Sequence, residues 1–174
     1  MDGQIFLQSA LKEFRDYKAL ADKTFKQLEE KDFHFQPNEE CNSIAILIQH
    51  LHGNMLSRWI NFLTEDGEKE WRQRDDEFEI HRYNKEQLLN LWEEGWQTVF
   101  NAIEPLQEGD LSKTIMIRTK PHSVVEAINR QLTHYASHVG QIILLGKILK
   151  GKNWQTLSVP RGQSKVYTDK MAKK

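Results

Sequence analysis

His134 and His138 stand four residues apart in the stretch PHSVVEAINRQLTHYASHVGQIILLGKILKG, with Gln141 following at the next turn. On a helix such a pair projects from one side with Cβ atoms roughly 5–6 Å apart, so two imidazoles can reach one ion. Metal coordination is therefore the chemistry to consider first, and it needs at least one further ligand. Helix-forming LIQHLHGNMLSRW offers His50 and His52. Two positions apart, these point roughly 160° away from each other, so at most one can join the pair. His52 lies somewhat nearer the apolar stripe and His50 on its other shoulder, and position alone selects neither. Gly53 and Asn54 follow on the His50 side, giving it a small neighbour and a hydrogen-bonding one.

Other arrangements are excluded by spacing. Tyr135 stands where a zincin requires Glu, and no Glu-x-x-His tetrad of a di-iron protein occurs. Three neutral imidazoles with open positions suit zinc, nickel or another borderline divalent ion. The plainer reading is a pair of satisfied polar residues at the edge of a core. His34, His81 and His122 fall in connections and are expected to be solvated. Cys41 lies nine residues before His50, too far for a shared ion, and reads as a small buried hydrophobe. Arg58, Arg72, Arg74 and Arg161 could meet an anionic substrate, with surface charge the expected role for most.

The elements that position these groups can be read from periodicity and caps. Ser123 and Glu126 form a capping box, Val124, Ile128, Leu132, Tyr135, Val139 and Ile142 follow at helical spacing, and Gly151 marks the end. A first helix is expected from Ile5 to about Glu30. A second starts at Asn42 or Ser43 and runs to about Leu63, and a third is opened by Asn84 and Gln87 and stopped by Pro105. Gly95 beside Trp96 would let another element approach closely, and Trp59, Trp92 and Trp96 read as core. Residues 65–84 are long and charged, as in a functional loop or a crossover along a bundle. Thr114–Thr119 reads as a short extended piece across one end, and little strand is expected. The sum is an all-α chain: one domain over residues 1–174, a four-helix bundle with a long crossover between helices two and three, and a tail over 151–174.

With 24 Lys and Arg against 25 Asp and Glu, the net charge of −1 gives no field for nucleic acid or an anionic surface. No run of about 18 apolar residues is present, so no membrane partner is expected. One cysteine and no secretory leader suit a cytoplasmic location.

Three segments, HLHGNMLSRWINFLTEDGEKEWRQRDDEFE, THYASHVGQIILLGKILKG and LSVPRGQSK, resemble the DinB-like superfamily, in particular a Bacillus-type branch. The resemblance spans nearly the whole chain, and HYxxHVGQI is its most specific part. It implies a four-helix bundle, often a homodimer, and a divalent metal held by one histidine of helix two and the pair of helix four. Matched residue by residue, those ligands are His50, His134 and His138, while His52 falls at a variable place. Relatives resemble bacillithiol S-transferase-like enzymes that use low-molecular-weight thiols, and metal-dependent hydrolase-like proteins. The expectation is therefore an enzyme of small-molecule chemistry. A three-histidine zinc or nickel site would activate a thiol or water, with Gln141 and Asn54 orienting from behind. Residues 65–84 and the PRGQS tail would shape the pocket. The alternative is a non-catalytic dimeric bundle with a structural metal or none.

Overall fold

The computed structural model describes residues 2–172. It is mostly helical. Four long helices, α1 (Gly3–Phe25), α2 (Ile44–Trp59), α3 (Lys85–Ile103) and α4 (Val124–Lys150), are followed by a short exposed α5 (Ser164–Met171). A hairpin of β1 (Thr114–Ile117) and β2 (Lys120–Ser123) precedes α4.

The helix starts follow cap chemistry. Ser43 accepts from the Ile46 amide, Asn84 and Gln87 cap α3 reciprocally, and Ser123 with Glu126 does the same for α4. Gly151 ends α4 at φ +50°, a conformation that favours glycine. Two ends come earlier than the sequence pattern suggests. After α1, the Asp32 carboxylate accepts from the Glu29 amide at 2.9 Å and caps a separate 3-10 turn over Glu30–His34. After α2, Ile60 is extended and Asn61 takes φ +51°, its amide donating to Glu65 Oε1 at 2.8 Å. Asparagine tolerates this left-handed state better than the β-branched and aromatic residues around it.

Side-chain pairs fix the helix directions. Arg15 meets Glu104 while Lys18 meets Glu93 and Asp22 meets Trp92, so α1 and α3 are antiparallel. Phe14 meets Tyr135 and Thr24 lies against Gly146, so α1 and α4 are parallel. Trp59 meets Tyr135 while His50 reaches His138, so α2 opposes α4. Helices α2 and α3, which pack on one another, therefore point the same way. Residues 60–84 must return the chain along their length before α3 begins.

At the centre each long helix contributes one aromatic ring. Phe14 of α1 lies 6.4 Å from Trp59 of α2, 6.1 Å from Trp96 of α3 and 5.9 Å from Tyr135 of α4, centroid to centroid. All four are buried. Gly95 permits the α2–α3 contact, because a Cβ there would sit 2.9 Å from Met55 Sδ and 3.4 Å from His52 Cα. No described helix is long and apolar enough to cross a membrane.

The segment expected merely to be extended is a true hairpin. Its two-residue loop, Arg118–Thr119, has φ +54° and +62°, the type I′ geometry that suits the right-handed twist of paired strands. Neither residue is the usual Asn or Gly. The Asp66 carboxylate supplies the missing preference by accepting from both loop amides, at 2.8 Å and 2.7 Å. Cys41, expected to be buried, is half-exposed.

Candidate metal centre

His50 is buried on α2, and His134 and His138 face it from α4. Nε2 of His134 lies 3.2 Å from Nε2 of His50 and 3.0 Å from Nε2 of His138. Ligand atoms of the three all fall within 4.8 Å of one another. His52 turns to the other side of α2, where its Nε2 meets Glu94 Oε2 of α3 at 2.8 Å. Of the two histidines that the helical wheel left open, the fold brings His50, not His52, to the α4 pair.

Behind His50 stands a group that the sequence pattern did not mark. Glu77, in a 3-10 turn over Asp76–Phe78, approaches Nδ1 of His50 at 3.0 Å. Gly53 makes room for it, since a Cβ at that position would sit 2.2 Å from the carboxylate. Arg72 holds the carboxylate bidentately, donating from Nε at 2.7 Å and Nη2 at 2.8 Å. Burial alone would raise the carboxyl's pKa, but hydrogen bonds from Arg72 and His50 outweigh it and hold the group below its ordinary range. An ionised carboxylate only accepts, so Nδ1 of His50 is the donor in this contact and Nε2 is the atom left facing the other rings. Phe78 covers the same imidazole, with centroids 4.8 Å apart.

The two α4 histidines are held neutral. Burial first, then the nearby His138, His50, Arg72 and Arg130, pushes His134 down to about 3. Burial and His50 push His138 down to about 4, with Gln141 on the next turn opposing the shift. Nδ1 of His138 is buried without a hydrogen-bond partner. The single Nε2 of His134 thus meets two other ring nitrogens at once. His134 can donate to one neighbour but not to both.

A cavity of about 440 Å³ opens beside His50 and His134. Asn54 lines it, and its Oδ1 accepts from the Tyr135 hydroxyl at 3.3 Å, which in turn accepts from Trp59 Nε1 at 2.9 Å. Gln141 is exposed and stands outside the cavity, beside His138. The PRGQS tail does not line it either: Arg161 is exposed, and the preceding chain folds back through Trp154 onto Gly146 of α4. The expectation of surface charge fails for two arginines. Arg58 and Arg72 are only 5% and 8% exposed, and both line the cavity with Arg74, Arg118 and Arg130. Of the residues missed, Arg130 had a readable signal, one turn before His134 on the same face. Glu77 and Arg118 had none, because they arrive from a loop and a hairpin.

No curated protein matches the sequence. A family model described as a protein of unknown function, DUF1572, matches residues 2–163, and the chain belongs to that family.

Proposed function

We propose that the chain is a divalent-metal-dependent enzyme of small-molecule chemistry, built on a four-helix bundle of the DinB-like type. His50, His134 and His138 would hold the ion, with zinc or nickel the best matches to an all-imidazole donor set. The convergence of three Nε2 atoms carries this reading. Ligands about 2.0–2.1 Å from a tetrahedral zinc stand about 3.3 Å apart; here His134 stands 3.2 Å and 3.0 Å from the other two, and all three lie within 4.8 Å of one another. The two α4 rings are neutral, as ligands must be. Glu77 behind His50 completes a carboxylate–histidine pair of the kind that fixes a ligand's tautomer and raises its basicity.

When bound, such an ion supplies a Lewis acid that lowers the pKa of a water or thiol sharing it. The chain's own residues do the rest. Arg72 and Glu77 lock the His50 ring, and Phe78 keeps water from one of its faces. Asn54, anchored through its oxygen by Tyr135, keeps its amide nitrogen to donate to a bound molecule in the cavity. The reaction class is thiol transfer or hydrolysis, with a low-molecular-weight thiol as co-substrate in the first case. The superfamily resemblance also favours a homodimer.

The test is metal titration of the purified full chain, alongside His134→Ala and His138→Ala. One zinc or nickel ion per chain is expected, lost in both variants while the helical circular dichroism is kept. No binding by the wild type rejects the reading. For a loaded protein, assays of thiol conjugation and of ester hydrolysis then separate the two classes.

A further inference from the structure

The wall of the cavity carries a second message. Five arginines line it: Arg58 from α2, Arg72 and Arg74 from the crossover, Arg118 from the hairpin and Arg130 from α4. No carboxylate and no lysine is among the lining residues. The chain as a whole has a net charge of −1, so this is a local concentration drawn from four separate segments.

Two of the five are buried and built in, Arg118 is paired with Glu68 at 2.7 Å, and two are free to grip. Arg58 donates to the Gly67 carbonyl and to Glu68 Oε2, and Arg72 is clamped on Glu77. Both are more than nine-tenths buried, and each keeps a buried nitrogen without a partner, Nε of Arg58 and Nη1 of Arg72. Burial lowers the pKa of Arg58, and Glu68 opposes that shift. Burying guanidiniums costs free energy that one carboxylate behind each does not fully return. Arg74, lying over the Phe78 ring at 5.9 Å, and Arg130 are exposed. Neither has a carboxylate within 4.0 Å among the described residues. Planar forks aimed at one space fit a carboxylate or phosphate group.

We infer that this cavity binds a small substrate through a carboxylate or phosphate group, gripped by Arg74 and Arg130 against the fixed Arg58 and Arg72. The reacting part of the molecule then lies at the histidine end. A volume of about 440 Å³ suits a molecule of metabolite size. The inference rests on the proposed metal centre for its meaning as a substrate site, while anion binding itself needs only the arginines. The two also reinforce each other: a divalent ion beside five guanidiniums is repelled, and an anion between them relieves both, so each favours the other's binding.

The experiment is calorimetric titration of chelator-treated full chain with inorganic phosphate and, separately, with succinate at low salt. Saturable binding of either is expected, and which one binds more tightly names the group. The Arg74→Gln, Arg130→Gln double variant, at two exposed positions and checked for helicity, should weaken it by about tenfold or more. His138→Ala should lose metal but keep the anion, which separates this inference from the metal reading. Absence of saturable binding to both anions overturns it. So does a double variant that binds as tightly as the wild type, or loss of the anion in His138→Ala.

Discussion

Tyr135 and His134 are adjacent in sequence and belong to opposite worlds. Tyr135 faces the aromatic centre, where Phe14, Trp59 and Trp96 surround it and its hydroxyl is met by Trp59 and Asn54. His134 faces a space walled by arginine and histidine, where its one Nε2 meets two other ring nitrogens and Nδ1 of His138 has no partner. The first region holds the fold together by burial. The second works against it, since it buries guanidiniums and imidazoles whose desolvation their partners do not fully offset. Regions that oppose stability in this way are where ligand binding is to be sought, because a ligand is what would satisfy them.

The sharpest separation of the two comes from truncating each. Trp96→Ala, at the aromatic centre, should lower the unfolding free energy by about 3–5 kcal/mol in urea titration, while the folded fraction keeps its metal stoichiometry. His134→Ala should do the reverse: metal is lost, and the metal-free protein is as stable as the wild type or more so. If Trp96→Ala abolished metal binding in folded protein, the two regions would not be separable.

Next in size is Glu77→Gln. It removes the charge that fixes the His50 tautomer, and metal affinity should fall about 10–100-fold in competition with a chromophoric chelator. An unchanged affinity would make Glu77 a partner of Arg72 alone.

The pH dependence distinguishes the regions without mutation. His134 and His138 have folded pKa values pushed to about 3 and about 4, against about 6.5 in the unfolded chain. Below about 6.5 the unfolded state therefore binds protons that the folded state refuses. Stability of the metal-free protein should be full above that pH and fall progressively down to about 4 and then 3. Thermal melts across this range should show the slope, and His134→Ala should flatten it.

The smallest effect concerns the hairpin loop that carries Arg118 to the cavity. Thr119→Gly places the usual residue in the second left-handed position of the hairpin loop. It should leave stability unchanged or raise it by up to about 1 kcal/mol, read as a small upward shift of the melting temperature.

Much of this was legible from the chain. Ser43, Asn84 and Ser123 announce three helix starts, because a cap is a local hydrogen bond between residues three apart. The His134–His138 pair is equally local. What failed to show was whatever depended on distant segments. The wheel could not rank His50 against His52 because α2 is buried on nearly every side, by α3, α4 and the crossover, so it has no clear polar face. Glu77 reaches His50 from 27 residues away through a loop without periodicity. The I′ hairpin was hidden because Arg118 and Thr119 take positive φ only with Asp66, 52 and 53 residues earlier, accepting from their amides. The tail was expected to shape the pocket, but Trp154 fills the space over Gly146 and leads it away.

The most direct measurement is anomalous diffraction, at the zinc or nickel edge, from crystals of the metal-loaded full chain. A single peak per chain is predicted, about 2.0–2.1 Å from a ring nitrogen of each of His50, His134 and His138. No peak at that point, or a peak held by other residues such as His52 and Glu94, would contradict the account.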